Sequence, residues 1–206
     1  MKKYIISVLI VLGTITVYAQ KDPGAVLDKV SSTLQSYEAV QADFYFSLEN
    51  KEADIFDSYE GSLVMHGEKY RLSLMGMLAI SDGKAMWVYM EEFNEANIMD
   101  PSESEFFNPK SIFSIYKDDF NLKYLGKEDN LDKIELVPKE ENDSYKLLIL
   151  KTDPSKNQIK EVFYKGLDGN NYIIKIKNML TDIQLDDRFF IFDKSKYPGV
   201  EIYDMR

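Results

Sequence analysis

The chain has 206 residues, a single histidine, no cysteine and a formal net charge of −10. Without thiols neither a disulfide framework nor a thiolate metal site can form, and one histidine cannot build a three-histidine zinc site. The acidity, with no clustered basic face, argues against binding nucleic acid and against attraction to anionic membrane surfaces.

The first nineteen residues read as a secretory signal. Lys2 and Lys3 precede an apolar run from Ile5 to Val17, and Val17-Tyr18-Ala19 offers a small-x-small cleavage site before Gln20. The run is short for a membrane span, and no stop-transfer segment follows it. The expectation is a cleaved signal over 1–19 and one soluble domain over 20–206, its charge falling from −10 to −12 with the two lysines. No cysteine follows the apolar run, so the chain is not itself lipidated there.

Asp22-Pro23 supplies an N-cap and a proline for the first helical position. Val26, Leu27, Val30, Leu34 and Tyr37 then recur at helical spacing, predicting an amphipathic helix over 23–38. At Gln41 the period changes to two: Ala42, Phe44, Phe46 and Leu48 alternate with Gln41, Asp43, Tyr45 and Ser47, as in a half-buried strand. Further strands are predicted over 59–65, 69–74, 77–81, 84–90, 95–99, 120–126, 132–138, 145–152, 158–165, 171–178 and 188–193. His66-Gly67, Asp82-Gly83, Asp153-Pro154 and Asp168-Gly169 give turn chemistry between them. Short connections of this kind make an antiparallel meander, because parallel strands need long crossovers. One interruption, Asp100 to Asp119, is framed by Pro101 and Pro109. Within it Ile112, Phe113, Ile115 and Tyr116 suggest a short apolar helix. The fold class is therefore α+β: a large curved antiparallel sheet of about eleven strands, covered by an N-terminal helix and a short mid-chain helix.

No catalytic constellation emerges. His66 sits beside Gly67 in a turn, and no G-x-S-x-G elbow accompanies it. The acid pairs Glu91-Glu92, Asp118-Asp119, Glu140-Glu141 and Asp186-Asp187 are sequence neighbours whose side chains diverge, unlike the facing carboxylates of a glycosidase. Asp129-x-x-Asp132 lacks the ladder of a calcium loop. The expectation is a non-enzyme with no catalytic residues, metal or cofactor.

Apolar surface is what the chain has in surplus, with 14 Tyr, 12 Phe and 9 Met. So many strands carry more apolar face than two helices can cover, which leaves a concave cavity suited to hydrophobic ligands. Its wall is assigned to Phe44, Phe46, Leu63, Met65, Tyr70, Leu72, Leu74, Trp87 and Tyr89, and its lid contacts to Leu34, Ile112, Phe113 and Tyr116. Alternation turns Arg71 outward. The strand after Asp82-Gly83 is apolar on both sides, so alternation does not choose between Trp87 and Tyr89 and their neighbours Met86, Val88 and Met90.

These segments have a family resemblance. Tyr37-Glu38-Ala39-Val40-Gln41-Ala42-Asp43-Phe44, Gly61-Ser62-Leu63-Val64-Met65, Lys69-Tyr70-Arg71-Leu72 and Ser81 to Tyr89 resemble, in order and spacing, the LolA-type outer-membrane lipoprotein carriers. Phe190-Ile191-Phe192 followed by Pro198-Gly199-Val200-Glu201-Ile202 is similar to that family's close. The resemblance implies an eleven-stranded half-barrel with helical lids, acting in the periplasm. Its implied partners are acylated lipoproteins, an inner-membrane ABC lipoprotein exporter and, as a further candidate, an outer-membrane acceptor, with the carrier a monomer. An envelope sensor, or a carrier of another acylated or hydrophobic ligand, is the alternative on the same fold. Where proteobacterial members carry a lid-latching arginine, this chain reads Met65-His66-Gly67-Glu68, so that role has no residue here.

Overall fold

The structure, a computed structural model, describes residues 21–101, 116–141 and 145–206. The expected signal, Ile112, Phe113 and most of the expected mid-chain helix lie outside the described residues.

Helix α1 spans Pro23–Ser36, and the Asp22 carboxylate accepts from the Gly24 N–H at 2.9 Å. The cap and Pro23 fix where the helix begins. Its buried stripe is Val26, Leu27 and Val30, and it stops where Tyr37 turns extended. A second, four-residue helix, α2, spans Tyr116–Asp119.

Among the described residues, twelve strands follow the period-two segments. They are β1 (Ala39–Asn50), β2 (Ile55–His66), β3 (Lys69–Leu74), β4 (Met77–Ser81), β5 (Met86–Met90) and β6 (Glu95–Met99), then β7 (Phe120–Glu128), β8 (Leu131–Pro138), β9 (Tyr145–Asp153), β10 (Gln158–Gly166), β11 (Asn171–Thr181) and β12 (Glu201–Asp204). All join one sheet in the order β12-β6-β5-β4-β3-β2-β1-β11-β10-β9-β8-β7. Two meanders, β1–β6 and β7–β11, are thus sewn together by the antiparallel pair β1–β11.

The sheet has to curl. Flat, twelve strands would spread over more than about 50 Å, while a fourteen-residue helix is only about 21 Å long. Yet α1 packs at the β7 edge and also against the other meander. Val26, Leu27 and Val30 pack with Phe120 of β7 and Ile134 of β8, and Leu34 packs against the cluster holding Tyr70 of β3 and Met86 of β5. The sheet wraps the helix as a half-barrel, as expected, and the face under α1 is the inner face.

The final strand is the main departure from expectation. Residues 188–193 are not a strand: two 3₁₀ turns, Asp187–Phe190 and Lys194–Lys196, replace it. Asp186 and Asp193 cap them by accepting from the Arg188 and Ser195 amides. The chain closes instead on β12, which pairs parallel with β6 and is the one exception to the antiparallel pattern among the described residues. A smaller departure lies at Asp82-Gly83. The β4–β5 connection has four residues, with the Asp82 carboxylate accepting from Lys84 and Ala85 amides and Gly83 at φ +88°. The strand therefore begins at Met86 rather than at residue 84.

Candidate functional site

Register places the inner face residue by residue. On β1, Val40, Ala42, Phe44 and Phe46 stand opposite Met65, Leu63, Gly61 and Tyr59 of β2. Leu63 and Met65 in turn face Leu72 and Tyr70 of β3, which face Ala79 and Ser81 of β4. Phe44, Phe46, Leu63, Met65, Tyr70, Leu72 and Leu74 are therefore one surface, and the structure brings them together beneath α1. Gly61 makes room for Phe44: an added methyl at Gly61 would overlap the Phe44 ring.

Trp87 and Tyr89 belong elsewhere. Trp87 pairs with Ile80 and Ile98, and Tyr89 with Leu78 and Ala96, so both stand on the outer face. The inner positions of β5 are Met86, Val88 and Met90. The expected assignment of Trp87 and Tyr89 to the cavity wall is corrected accordingly. Their face is apolar because the segment after β11 lies across it. Phe192 and Val200 are buried against Ile80, Tyr89 and Ala96, with Tyr89 4.4 Å from Tyr197 between ring centroids. Phe190 is fully buried. Arg71 does turn outward, where its guanidinium lies 5.2 Å from the Phe189 ring centroid.

An open cavity of about 560 Å³ lies where the C-terminal end of α1 meets β1 and the β2–β3 hairpin, lined by Leu34, Tyr37, Val40, Met65 and His66 among others. Leu34 packs against the cluster that holds Met65 and Tyr70. Tyr116 is buried beside α1, and its hydroxyl donates to the Asp28 carboxylate at 2.7 Å. Burial, then Asp28, raises its pKa above the ordinary tyrosine value. Tyr70 lies deeper in the wall, pushed up to about 12 by burial, with its hydroxyl donating to Met86 Sδ at 2.8 Å.

The other half of the inner face carries an aromatic row that strand patterns do not reveal. Phe46, Tyr172, Tyr164, Tyr145 and Phe120 follow one another from β1 through β11, β10 and β9 to β7, with ring centroids 6.1, 4.8, 5.5 and 6.1 Å apart. Alternation alone marks Tyr164 and Tyr172, but Tyr145 reaches this face only through the β9–β10 register shift before Gly166. At the rim Tyr172 donates to Asp168 at 2.7 Å, which raises the phenol and holds the carboxylate below its usual range.

Few polar groups lie in the interior. Asp132 is fully buried on β8, where it accepts from Tyr124 at 2.8 Å and pairs with Lys21. His66 closes β2 with Nε2 3.8 Å from Glu38 and its ring beside Phe190. Among the described residues, no three His, Cys, Asp or Glu side chains group to hold a metal ion, and no helix is long and apolar enough to cross a membrane.

The chain is similar to several solved structures. An uncharacterised conserved protein from Thermus thermophilus superposes with a TM-score of 0.58 at 10% identity, over 88% of this chain and 98% of its own. A LolA superfamily protein from Nitrosomonas europaea gives 0.45 at 12% identity, over 82% and 97%. LprF from Mycobacterium bovis gives 0.44 at 11%, over 79% and 93%. No curated protein matches the sequence. The profile of the family described as outer membrane lipoprotein carrier protein LolA matches residues 35–193, from the end of α1 to the 3₁₀ turns. With most of its length matched, the chain belongs to the LolA family of outer membrane lipoprotein carrier proteins.

Proposed function

We propose that this protein is a periplasmic carrier, exported by residues 1–19, that holds the acyl chains of lipoproteins against the inner face of the half-barrel. It receives them from an inner-membrane ABC exporter and releases them at the outer membrane. The observation that carries the reading is the inner face itself: a continuous apolar surface across β1–β5 and β11, opening beside α1 into a cavity of about 560 Å³. That volume lies in the range of small-molecule sites.

The physical need is plain. At about 0.8 kcal/mol per CH₂, one palmitoyl chain represents roughly 12 kcal/mol of exposure to water. A carrier supplies shelter without covalent chemistry, and outward transfer requires only that the acceptor bind more tightly. Half-buried Phe46, Leu63, Leu72 and Leu74 are the contacts proposed for the chains.

Native mass spectrometry of the protein taken from its own periplasm tests the cargo, with a co-purifying lipoprotein expected. Release of lipoproteins from spheroplasts, given ATP and exporter, tests the transfer. A chain that carries no acylated species and releases none is not a lipoprotein carrier.

A further inference from the structure

Six of the nine methionines stand on the inner face. Met77 lies opposite Met90, Met86 opposite Met99, Met65 beside Tyr70, and Met179 opposite Ala42. Their exposure differs. Met65 and Met86 are buried, and the Tyr70 hydroxyl engages the Met86 sulfur. Met77, Met90, Met99 and Met179 are half-buried, on the surface a bound chain would cover. Met75 and Met205 are 56% and 61% exposed and stand off this wall.

With no cysteine in the chain, methionine is its readily oxidised sulfur. We propose that Met77, Met90, Met99 and Met179 form an oxidation site through which hydrogen peroxide turns off acyl binding, a role that rests on the carrier reading above. A thioether lone pair attacks one peroxide oxygen. The S–O bond forms as the O–O bond breaks, and sulfur gives up two electrons. The departing hydroxide takes the proton from the transferred oxygen and leaves as water. The sulfoxide is a strong polar acceptor that an alkyl chain cannot pair, so closing the ligand over it costs the desolvation of that dipole. Flexible methionine suits a wall that must fit varied chains, and the same sulfur makes that wall chemically switchable. Methionine sulfoxide reductases would reverse the change.

The test combines peroxide treatment of the mature protein, peptide mass mapping, and titration with a palmitoyl probe carrying an environment-sensitive fluorophore. Met75 and Met205 are expected to oxidise first without altering binding. Oxidation of the four wall residues then weakens binding about tenfold or more, and sulfoxide reductases restore it. Prior loading with the probe slows oxidation at those four alone. A variant with Met77→Leu, Met90→Leu, Met99→Leu and Met179→Leu is compared with itself before and after peroxide, and keeps after treatment the affinity it has untreated. The pair Met77→Leu with Met90→Leu gives a milder version should the fourfold variant misfold. Unchanged affinity with all four sulfoxides present, or equal loss in the leucine variants, overturns the proposal. Failure of the untreated protein to bind the probe is a separate result that overturns the carrier reading. In that event the order of oxidation still judges the site, which falls if the four react no faster than Met65 and Met86.

Discussion

The two meanders solve the problem of an exposed sheet face differently. In β7–β10 the inner positions are mostly apolar under α1, while the outer face carries a charged row in which Glu128 bridges Lys133 and Lys151 and Glu161 pairs with Lys151. In β4–β6 the inner positions carry the methionine wall, and the outer face is apolar too, covered by the segment from Asp187 to Val200. Water meets the outer face in the first case and is kept from it in the second. The difference explains why Trp87 and Tyr89 are aromatic although they do not touch the cavity, and it locates the protein's second core on the outside of the barrel.

Breaking the outer core is the most damaging test. Phe190→Ala empties a fully buried site and is expected to destabilise the protein by about 3–5 kcal/mol in urea unfolding. Ile149→Ala, half-buried on the outer face of the other meander, should cost roughly 1 kcal/mol. Equal losses at the two positions would mean that the 187–200 segment is a surface loop and not a core element. Next in size is Asp132→Ala, which leaves Tyr124 without its acceptor and Lys21 without its partner. Because Lys21 is itself 42% exposed, a loss of about 2–3 kcal/mol is expected, below the full range for breaking a buried pair. Asp132→Leu combined with Lys21→Met should recover most of it.

A smaller effect probes the site itself. Gly61→Ala drives the Phe44 ring from its place in the wall, for about 1–3 kcal/mol of stability and a measurable drop in palmitoyl-probe affinity. Gly126→Ala, on the edge strand β7 and away from the cavity, has open space around the added methyl and only the strain of φ +99°. A matched stability loss with no change in binding is expected there, and equal binding defects in the two variants would show that Phe44 is not a contact.

Legibility in the sequence follows the same division. Where one face is wet, alternation reports it: β1, β3 and β8 follow their period-two pattern, and Phe44, Leu63, Tyr70 and Leu72 fall on the inner face as their spacing predicts. Where the outer face is buried as well, the pattern vanishes. Met86-Trp87-Val88-Tyr89-Met90 has no polar partner positions, so nothing local selects the methionines over the aromatics, and only the distant segment from Phe190 to Val200 makes the choice. That segment is itself legible as apolar, but Phe190 and Phe192, two apart, imitate a strand while lying across a sheet that they do not extend. The aromatic row is hidden for a related reason. Its members come from five strands, and a register shift in β9, invisible in composition, places Tyr145 among them.

The smallest expected effect sharpens the polar side of the comparison. Lys133 and Lys151 face each other in register, an arrangement that repels unless an anion lies between them. Glu128 supplies it, reaching Lys133 at 2.7 Å and Lys151 in the same grip, and the two lysines hold its carboxyl down at about 2. A carboxyl depressed in the folded state stabilises the fold above its unfolded value of 4.5, and that contribution fades as pH falls toward about 2. The melting temperature should therefore decline between about pH 5 and 2 more steeply in the parent than in Glu128→Gln, with the two curves separated at neutral pH and meeting in acid. Since Glu128 is well exposed to solvent, salt should narrow the gap, and the size of the effect should stay below that of any core substitution. Parallel curves across that window would show that the charged row only decorates the outer face, leaving the β7–β10 meander to stand on α1 and its inner core alone.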